Sequence, residues 1–229
     1  MHLVKSDRRV IVIDDDIATI KALSRLGAQK GYTAQSFASC GDFAQWARGM
    51  GAHLMEAGLP VCLVIDAKAL VSDVSWCMGD HIRLIPKICI GLPTTMAPLA
   101  HFAEAVQGEF IRKPFTLAKI GDSVEAAFAR HLHLLEVARQ TRKLRSLFAL
   151  LSPRELEVAH LVGAGLPNLD IAQVLGITLK TVKAHRAKVM GKTQSGTIAE
   201  FVGKHGQYRE ILAKSHNVLP LTGSAEIKR

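Results

Sequence analysis

The stretch from Leu151 to Phe201 is punctuated at every boundary, and that punctuation leaves few folds open to it. Ser152 can cap a helix, Pro153 suits a first turn, and Glu155 completes a Ser-x-x-Glu capping box. Leu156, Ala159 and Val162 then recur at helical spacing, which predicts a helix running to about Gly163. Gly165 to Asn168 interrupt the pattern. Leu169 to Leu175 give a short second helix with Ile171, Ala172 and Leu175 on its apolar side, stopped at Gly176. Thr178 caps a third helix, on which Val182, His185 and Val189 share one face while Lys180, Lys183, Ala184, Ala187 and Lys188 share the opposite one.

A helix docked by an apolar seam, with a cationic outer face of small residues, suits the major groove of duplex DNA. There Lys meets phosphates or guanine edges and Ala allows close approach. The alternative is a solvated basic helix on a small bundle; the three-helix order, the two short turns and the Thr181-Val182-Lys183-x-His185 core favour nucleic acid. Over about fifty residues the segment resembles the LuxR-type helix-turn-helix of the NarL/FixJ response regulators. Lys180, Thr181, Lys183, Ala184, His185, Ala187 and Lys188 are then the candidate DNA-contacting residues. The chain departs from that pattern in three places: Pro167 replaces the usual Ser or Thr cap of the scaffold helix, Leu169 a polar residue, and Thr193 the usual Leu after Lys192. With Gly191 nearby, the third helix is expected to fray early.

The 229 residues suffice for two domains, and 48% hydrophobic content for a core in each. Residues 1–130 carry 14 Lys+Arg against 13 Asp+Glu, a net of +1, whereas residues 131–229 carry 15 against 7, a net of +8. The basic half is the half with the helix-turn-helix pattern, which favours a polyanionic partner and salt-sensitive association. Cys40, Cys62, Cys77 and Cys89 show no CxxC pairing; Cys62 and Cys89 fall in apolar runs, as buried thiols of a reducing cytoplasm would. No signal-peptide core and no apolar run of the ~20 residues that span a bilayer is present, so a cytoplasmic protein without membrane contact is expected.

In the first half strand-like runs alternate with helical ones: Val10–Ile13, helix Ile17–Lys30, Thr33–Phe37, helix Gly41–Arg48, Val61–Ile65, Ile88–Ile90, a helix near Ala97–Ala105, Phe110–Arg112, and a helix from Leu117. This predicts an α/β fold with a doubly wound, five-stranded parallel sheet, whose chemistry collects at the carboxyl ends of its strands. Asp14, Asp15 and Asp16 follow the first strand, Asp66 the third, and Lys113-Pro114 the fifth. Carboxylates crowded on one edge call for a hard divalent cation such as Mg²⁺, although Asp16 reads better as a helix cap.

These segments resemble a response-regulator receiver domain of flavodoxin/CheY-like fold, and the resemblance implies the rest of the chemistry. Asp66 accepts a phosphoryl group from a sensor histidine kinase; Asp14, Asp15, Asp66 and the Lys68 backbone carbonyl surround Mg²⁺; Lys113 pairs with the phosphoryl oxygens, its bond to Pro114 being cis. Gly91 stands where receivers place a switch hydroxyl, with Thr94 and Thr95 as substitutes if the loop bends differently. Phe110 occupies the switch-aromatic position, or is simply a core residue. The stretch Ala67-Lys68-Ala69-Leu70 is read as a loop lacking the usual Met-Pro, followed by a poorly patterned helix around Val74–Met78.

The expected organisation is a receiver at 1–130, a helical linker at 131–149, an all-α four-helix helix-turn-helix domain at 150–206, and a tail at 207–229 with a further short helix at Tyr208–Ser215. Arg139, Arg142, Lys143 and Arg145 make the linker basic; a solvated face is the plainer reading. His53, His81 and His101 are not spaced as metal ligands. The implied function is a transcriptional response regulator, not an enzyme, that binds promoter DNA as a homodimer, works with RNA polymerase, and has a weak or phosphorylation-independent switch. The alternatives are a module that sequesters a kinase or another regulator through its receiver face and, less well supported, a metal-dependent hydrolase.

Overall fold

The computed structural model describes residues 8–56, 58–72, 80–92 and 108–216. The chain forms two compact units, Met1–Val137 and Ala138–Arg229. The first holds β1 (Arg9–Ile13), α1 (Ile17–Lys30), β2 (Thr33–Phe37), α2 (Cys40–Glu56), β3 (Val61–Asp66), α3 (Ala67–Ser72), α4 (Asp80–Arg83), β4 (Lys87–Gly91), β5 (Glu109–Arg112) and the start of α5 (Leu117–Ala149). Its five strands are parallel in the order β2-β1-β3-β4-β5.

Burial follows from this order. The inner strands β3 and β4 are buried at every residue, and side chains alternate between two layers. Ile11, Ile13, Leu63, Ile65 and Cys89 face a cluster with Phe43 and Cys40 of α2. Val10, Val12, Cys62, Val64, Ile88 and Ile90 face Leu23 and Leu26 of α1 and Ile120, Val124 and Phe128 of α5. At Gly27 an added Cβ would lie 2.9 Å from the Tyr32 carbonyl oxygen, so the α1–β2 turn closes only over glycine. Arg8 bonds Glu125 at 2.6 Å and lies over the Phe128 ring, tying the first strand's start to α5.

Beneath the sheet, His131 of α5 is fully buried and its Nδ1 accepts the Val61 N–H at 2.9 Å. Its Nε2 has no hydrogen-bond partner among the described residues. Burial, then the Lys87 ammonium, pushes the imidazole down to about 4.

The second unit contains the end of α5 with α6 (Pro153–Gly163), α7 (Asn168–Leu175), α8 (Leu179–Lys192) and α9 (Ile198–His216). Leu144 and Phe148 of α5 join Val158, Val162, Ile171, Val182 and Val189 in one core, where Phe148 stacks on Tyr208 at 4.2 Å. His205 fits against Gly163 so closely that an added Cβ would fall among its ring atoms, and its Nε2 lies 2.9 Å from His160 Nδ1.

Several expectations are corrected. Residues 67–70 are helical, because Ala-Lys-Ala-Leu contains no breaker and α3 starts directly after β3. The helix α2 runs to Glu56, beyond Arg48. The helix from Leu117 and the helical stretch 131–149 stand as read, joined in one element, α5 (Leu117–Ala149). The separate helix at Tyr208–Ser215 is instead part of α9, which passes through Gly206. Phe201, His205 and Tyr208 lie on one helical face and pack inward, outweighing the ~1 kcal/mol that an interior glycine costs. The α8 helix does not fray early but runs to Lys192, and the Thr193 hydroxyl, buried, donates to the Val189 carbonyl at 2.8 Å. The helices expected at 74–78 and 97–105, together with Thr94, Thr95, Cys77 and the side chains of His53, His81 and His101, lie outside the described residues.

Two stability predictions follow from these contacts. A base whose folded pKa is depressed stabilises fully above its unfolded value, near 6.5, and that contribution fades as pH falls towards 4. Urea titrations from pH 7 to 4 should therefore show His131→Gln losing up to about 3 kcal/mol less stability than the wild type. Gly163→Ala should destabilise the second unit by about 1–3 kcal/mol, read by thermal melting, because the His205 ring must move.

Candidate functional site

The register of β1 and β3 assembles the first site. Ile13 pairs with Ile65, so the next residues, Asp14 and Asp66, emerge side by side at the carboxyl edge of the sheet. Both are buried, at 1% and 5% exposure. Arg112 at the end of β5 pairs with Gly91, which brings Lys113 to the same edge, and the Lys113–Pro114 peptide is cis. The Lys113 ammonium donates to Asp66 Oδ2 at 2.5 Å and to Asp14 Oδ2 at 3.4 Å.

Burial raises the Asp14 carboxyl above its ordinary range, and the Asp66 charge adds to this, while the Asp16 N–H and Lys113 oppose it. Burial would lower the Lys113 ammonium, but its bond to Asp66 and the Asp14 charge carry it upward. The two carboxylates thus favour the charged ammonium of Lys113. Asp16 is the α1 cap, accepting from the Ala18 N–H and the Thr19 hydroxyl, and these bonds lower its pKa.

The other candidates are placed differently. Asp15 is exposed, and no three acidic, His or Cys side chains among the described residues are grouped as a metal cage. Lys68 donates its N–H to Asp66 Oδ1 at 2.8 Å, but as the second residue of α3 its carbonyl points along the helix to the next turn, not into the pocket. The expected Lys68 carbonyl ligand is therefore absent from this arrangement. Asp14 and Asp66 still fit a hard divalent ion: both are oxygen donors, and Mg²⁺ commonly takes one or two carboxylates and keeps several waters. Gly91 is buried at the end of β4, and its carbonyl accepts the Lys113 N–H at 2.8 Å; it offers no hydroxyl. Phe110 is half-buried against the α2-side core.

In the second unit, the Ser152 capping box forms, and Glu155 also accepts the Lys192 ammonium at 2.6 Å. That bond, then the Ser152 N–H, holds the Glu155 carboxyl down to about 2. Arg186 bonds Asn168 Oδ1 at 2.6 Å, so α8 is tied by charged groups to both α6 and α7. Neither partnership is visible in local spacing, since 18 and 37 residues separate the partners. Pro167 gives α7 no side-chain cap.

Thr178 caps α8 by accepting the Thr181 N–H, and Val182 and Val189 are buried. Lys180, Lys183, Ala184, Ala187 and Lys188 are exposed, and Thr181 is half-buried at the cap. His185 sits with the buried seam, where its spacing placed it, half-buried with an enclosed Nδ1. An open concavity lined by Gln173, Gly176, Thr178 and Thr181 adjoins the start of α8.

Acids and a lysine at the edge of a parallel sheet, in one chain with a helix-turn-helix whose outer face is cationic, define a signal-receiving DNA-binding protein. Residues 149–202 match the family model of bacterial regulatory proteins, luxR family. Over 227 residues the chain is 35% identical to the transcriptional regulatory protein TdiR of Thauera aromatica, covering 94% of this chain and 92% of that one. It is 28% identical to the transcriptional regulatory protein FixJ of Rhizobium meliloti over 198 residues, 86% and 94% of the two chains. Response regulator StyR superposes with a TM-score of 0.64 at 26% identity, over 88% of this chain and 99% of that one.

The chain belongs to the NarL/FixJ family of two-component response regulators, with a LuxR-type helix-turn-helix, and is a DNA-binding transcriptional response regulator. Relatives named as transcriptional regulators speak against the sequestering and hydrolase readings. Among the described residues no helix is long and apolar enough to cross a membrane.

Since Lys113 favours the charged form of Asp14, Lys113→Met should move the Asp14 titration to higher pH, observed by carboxyl-carbon NMR. An unchanged midpoint would show that the ammonium does not govern the pair.

Proposed function

We propose that Asp66 is the phosphoacceptor of this regulator and that the outward face of α8 reads promoter DNA. The observation that carries the first part is the convergence of Asp14, Asp66 and Lys113 at one sheet edge. A carboxylate oxygen of Asp66 attacks the phosphorus of a kinase phosphohistidine; the P–O bond forms as the P–N bond breaks, and the imidazole leaves. Lys113 then transfers its ammonium contact from the carboxylate to the phosphoryl oxygens. Asp14 and Asp66, with Asp15 next in the chain, would hold a divalent cation, which would further neutralise those oxygens.

On this reading residues 1–130 receive the signal and residues 150–206 read DNA, joined through 131–149, with α9 carrying the reading unit into the stretch 207–229 as far as His216. Lys180, Lys183 and Lys188 meet phosphates or guanine edges, Ala184 and Ala187 allow close approach, and Thr181 stands at the helix start. Two copies of the chain bind paired half-sites about one helical turn apart and engage RNA polymerase.

Gly91 supplies no hydroxyl to follow the phosphoryl group, so the two states of the switch differ little in how they hold it. A ligand shifts an equilibrium only by its differential affinity for the two states. Phosphorylation should accordingly change DNA affinity by only a few-fold. The test is DNA binding at fixed salt with and without Mg²⁺ and beryllofluoride, for the wild type and Asp66→Ala. A large gain, lost in the variant, overturns the weak-switch reading; a hydroxylamine-sensitive acyl phosphate that still forms on Asp66→Ala after incubation with a small acyl phosphate overturns Asp66 as the phosphoacceptor.

In the reading unit, Lys183→Ala should weaken specific binding roughly tenfold or more, against little change for Lys228→Ala. Equal losses in a salt-controlled titration would remove the α8 assignment.

A further inference from the structure

We propose that His160 and His205 form a one-proton clasp that seats α9 on α6 at neutral pH and releases it in mild acid. The contact lies within the second unit and belongs to neither the acidic pocket nor the outward face of α8.

His205 of α9 is 3% exposed, whereas His160 of α6 is open to solvent. The buried ring packs against Phe148 of α5 and Phe201 of its own helix, and occupies the space that a Cβ at Gly163 would take. His160 Nδ1 meets His205 Nε2 at 2.9 Å with the rings inclined at 65°, the separation of a hydrogen bond. Such a contact holds one hydrogen, because one nitrogen must donate and the other accept.

The two rings therefore respond differently to acid. A proton gained by the exposed His160 keeps the bond, since its Nδ1–H then donates to a neutral His205. A further proton on His205 sets two N–H groups against each other with no lone pair between them. The charged or titratable groups that bear on His205 are His160 from α6 and Arg209 from its own helix; α5 presents the uncharged Phe148 ring, and no carboxylate among the described residues acts on it. Burial first, then these two cations, hold the His205 imidazole below its ordinary 6.5. A base depressed in the seated form stabilises that form fully above 6.5, and the contribution fades as the pH falls below that value. Glu155 of the same α6 holds Lys192 of α8, so α8 and α9 are seated on one helix, and release of α9 takes a packing partner from the support of α8.

The experiment uses the full chain and hydrogen–deuterium exchange of peptides from residues 202–212, read by mass spectrometry at pH 7.5 and 5.5. Rates are expressed as protection factors, so that the intrinsic pH dependence of exchange cancels. Over this interval a free imidazole in the opened state gains nearly one proton that the seated form resists, so the opening constant of the wild type should rise about five- to tenfold. His205→Gln, which can still hydrogen-bond and does not titrate, should rise by about twofold or less. His160→Gln, whose amide oxygen can accept from a protonated His205, should rise by about threefold or less. His131→Gln removes the buried imidazole of the first unit and should leave the wild-type response in place.

A wild-type rise of about twofold or less overturns the clasp. So does a His160→Gln variant that keeps the full wild-type rise, since burial of His205 would then act without its partner, and so does loss of the response in His131→Gln. Should thermal melts at pH 7.5 show His205→Gln unfolded, His160→Gln at its exposed position decides the matter alone.

Discussion

The first unit depends on the in-register pairing of β1 with β3. Both strands are buried, and the match of Ile13 to Ile65 forces the two following carboxylates into one low-polarity corner. Two buried charges of like sign are costly unless something opposes them. Here the opposing charge is Lys113, brought from two strands away by the pairing of β4 with β5. Sheet order, strand register and site electrostatics are therefore one constraint: a slip of one residue in β3 would turn Asp66 to the other face of the sheet and leave Asp14 and Lys113 without it.

That arrangement also bears on how the receiver communicates. The Asp66 carboxylate is divided between the Lys113 ammonium and the N–H of Lys68 in the first turn of α3. Taking an ammonium contact away from Asp14 and Asp66 would leave their repulsion uncompensated, so movement of Lys113 and neutralisation of the acids must occur together. The glycine at the end of β4 itself brings no hydroxyl to that exchange.

Much of this was legible in the sequence, and the reasons differ by element. The α1 and β2 bounds, the capping box at Ser152 and the Thr178 cap follow from local rules acting over three or four residues, and they stand as read. The alternation of apolar runs gave the parallel sheet, and strand ends gave Asp14, Asp66 and Lys113. What was not legible depended on partners far apart in sequence. The buried Thr193 hydroxyl closes the end of α8 on the Val189 carbonyl, so a residue read as a defect completes the helix. Gly206 looked like a boundary, yet aromatic packing on either side of it decides the matter. At Ala67 the absence of the usual Met-Pro was read as an odd loop, when the same absence permits a helix.

The division of labour among cations has the same origin. Composition alone assigns a net charge of +8 to residues 131–229 without saying which of those charges face outward. The fold sorts them. Arg186 and Lys192 lie on the recognition helix and would be counted towards DNA, but they bond Asn168 and Glu155 and so set how that helix sits on α6 and α7. Lys180, Lys183 and Lys188 share the helix and remain exposed. Exposed ion pairs are worth little individually, yet Glu155 is 4% exposed, and a buried carboxylate left without its partner is costly. Positive charge on α8 is therefore of two kinds: at Arg186 and Lys192 it fixes the seat of the helix on α7 and α6, and at the three outward lysines it is left for the proposed DNA contact.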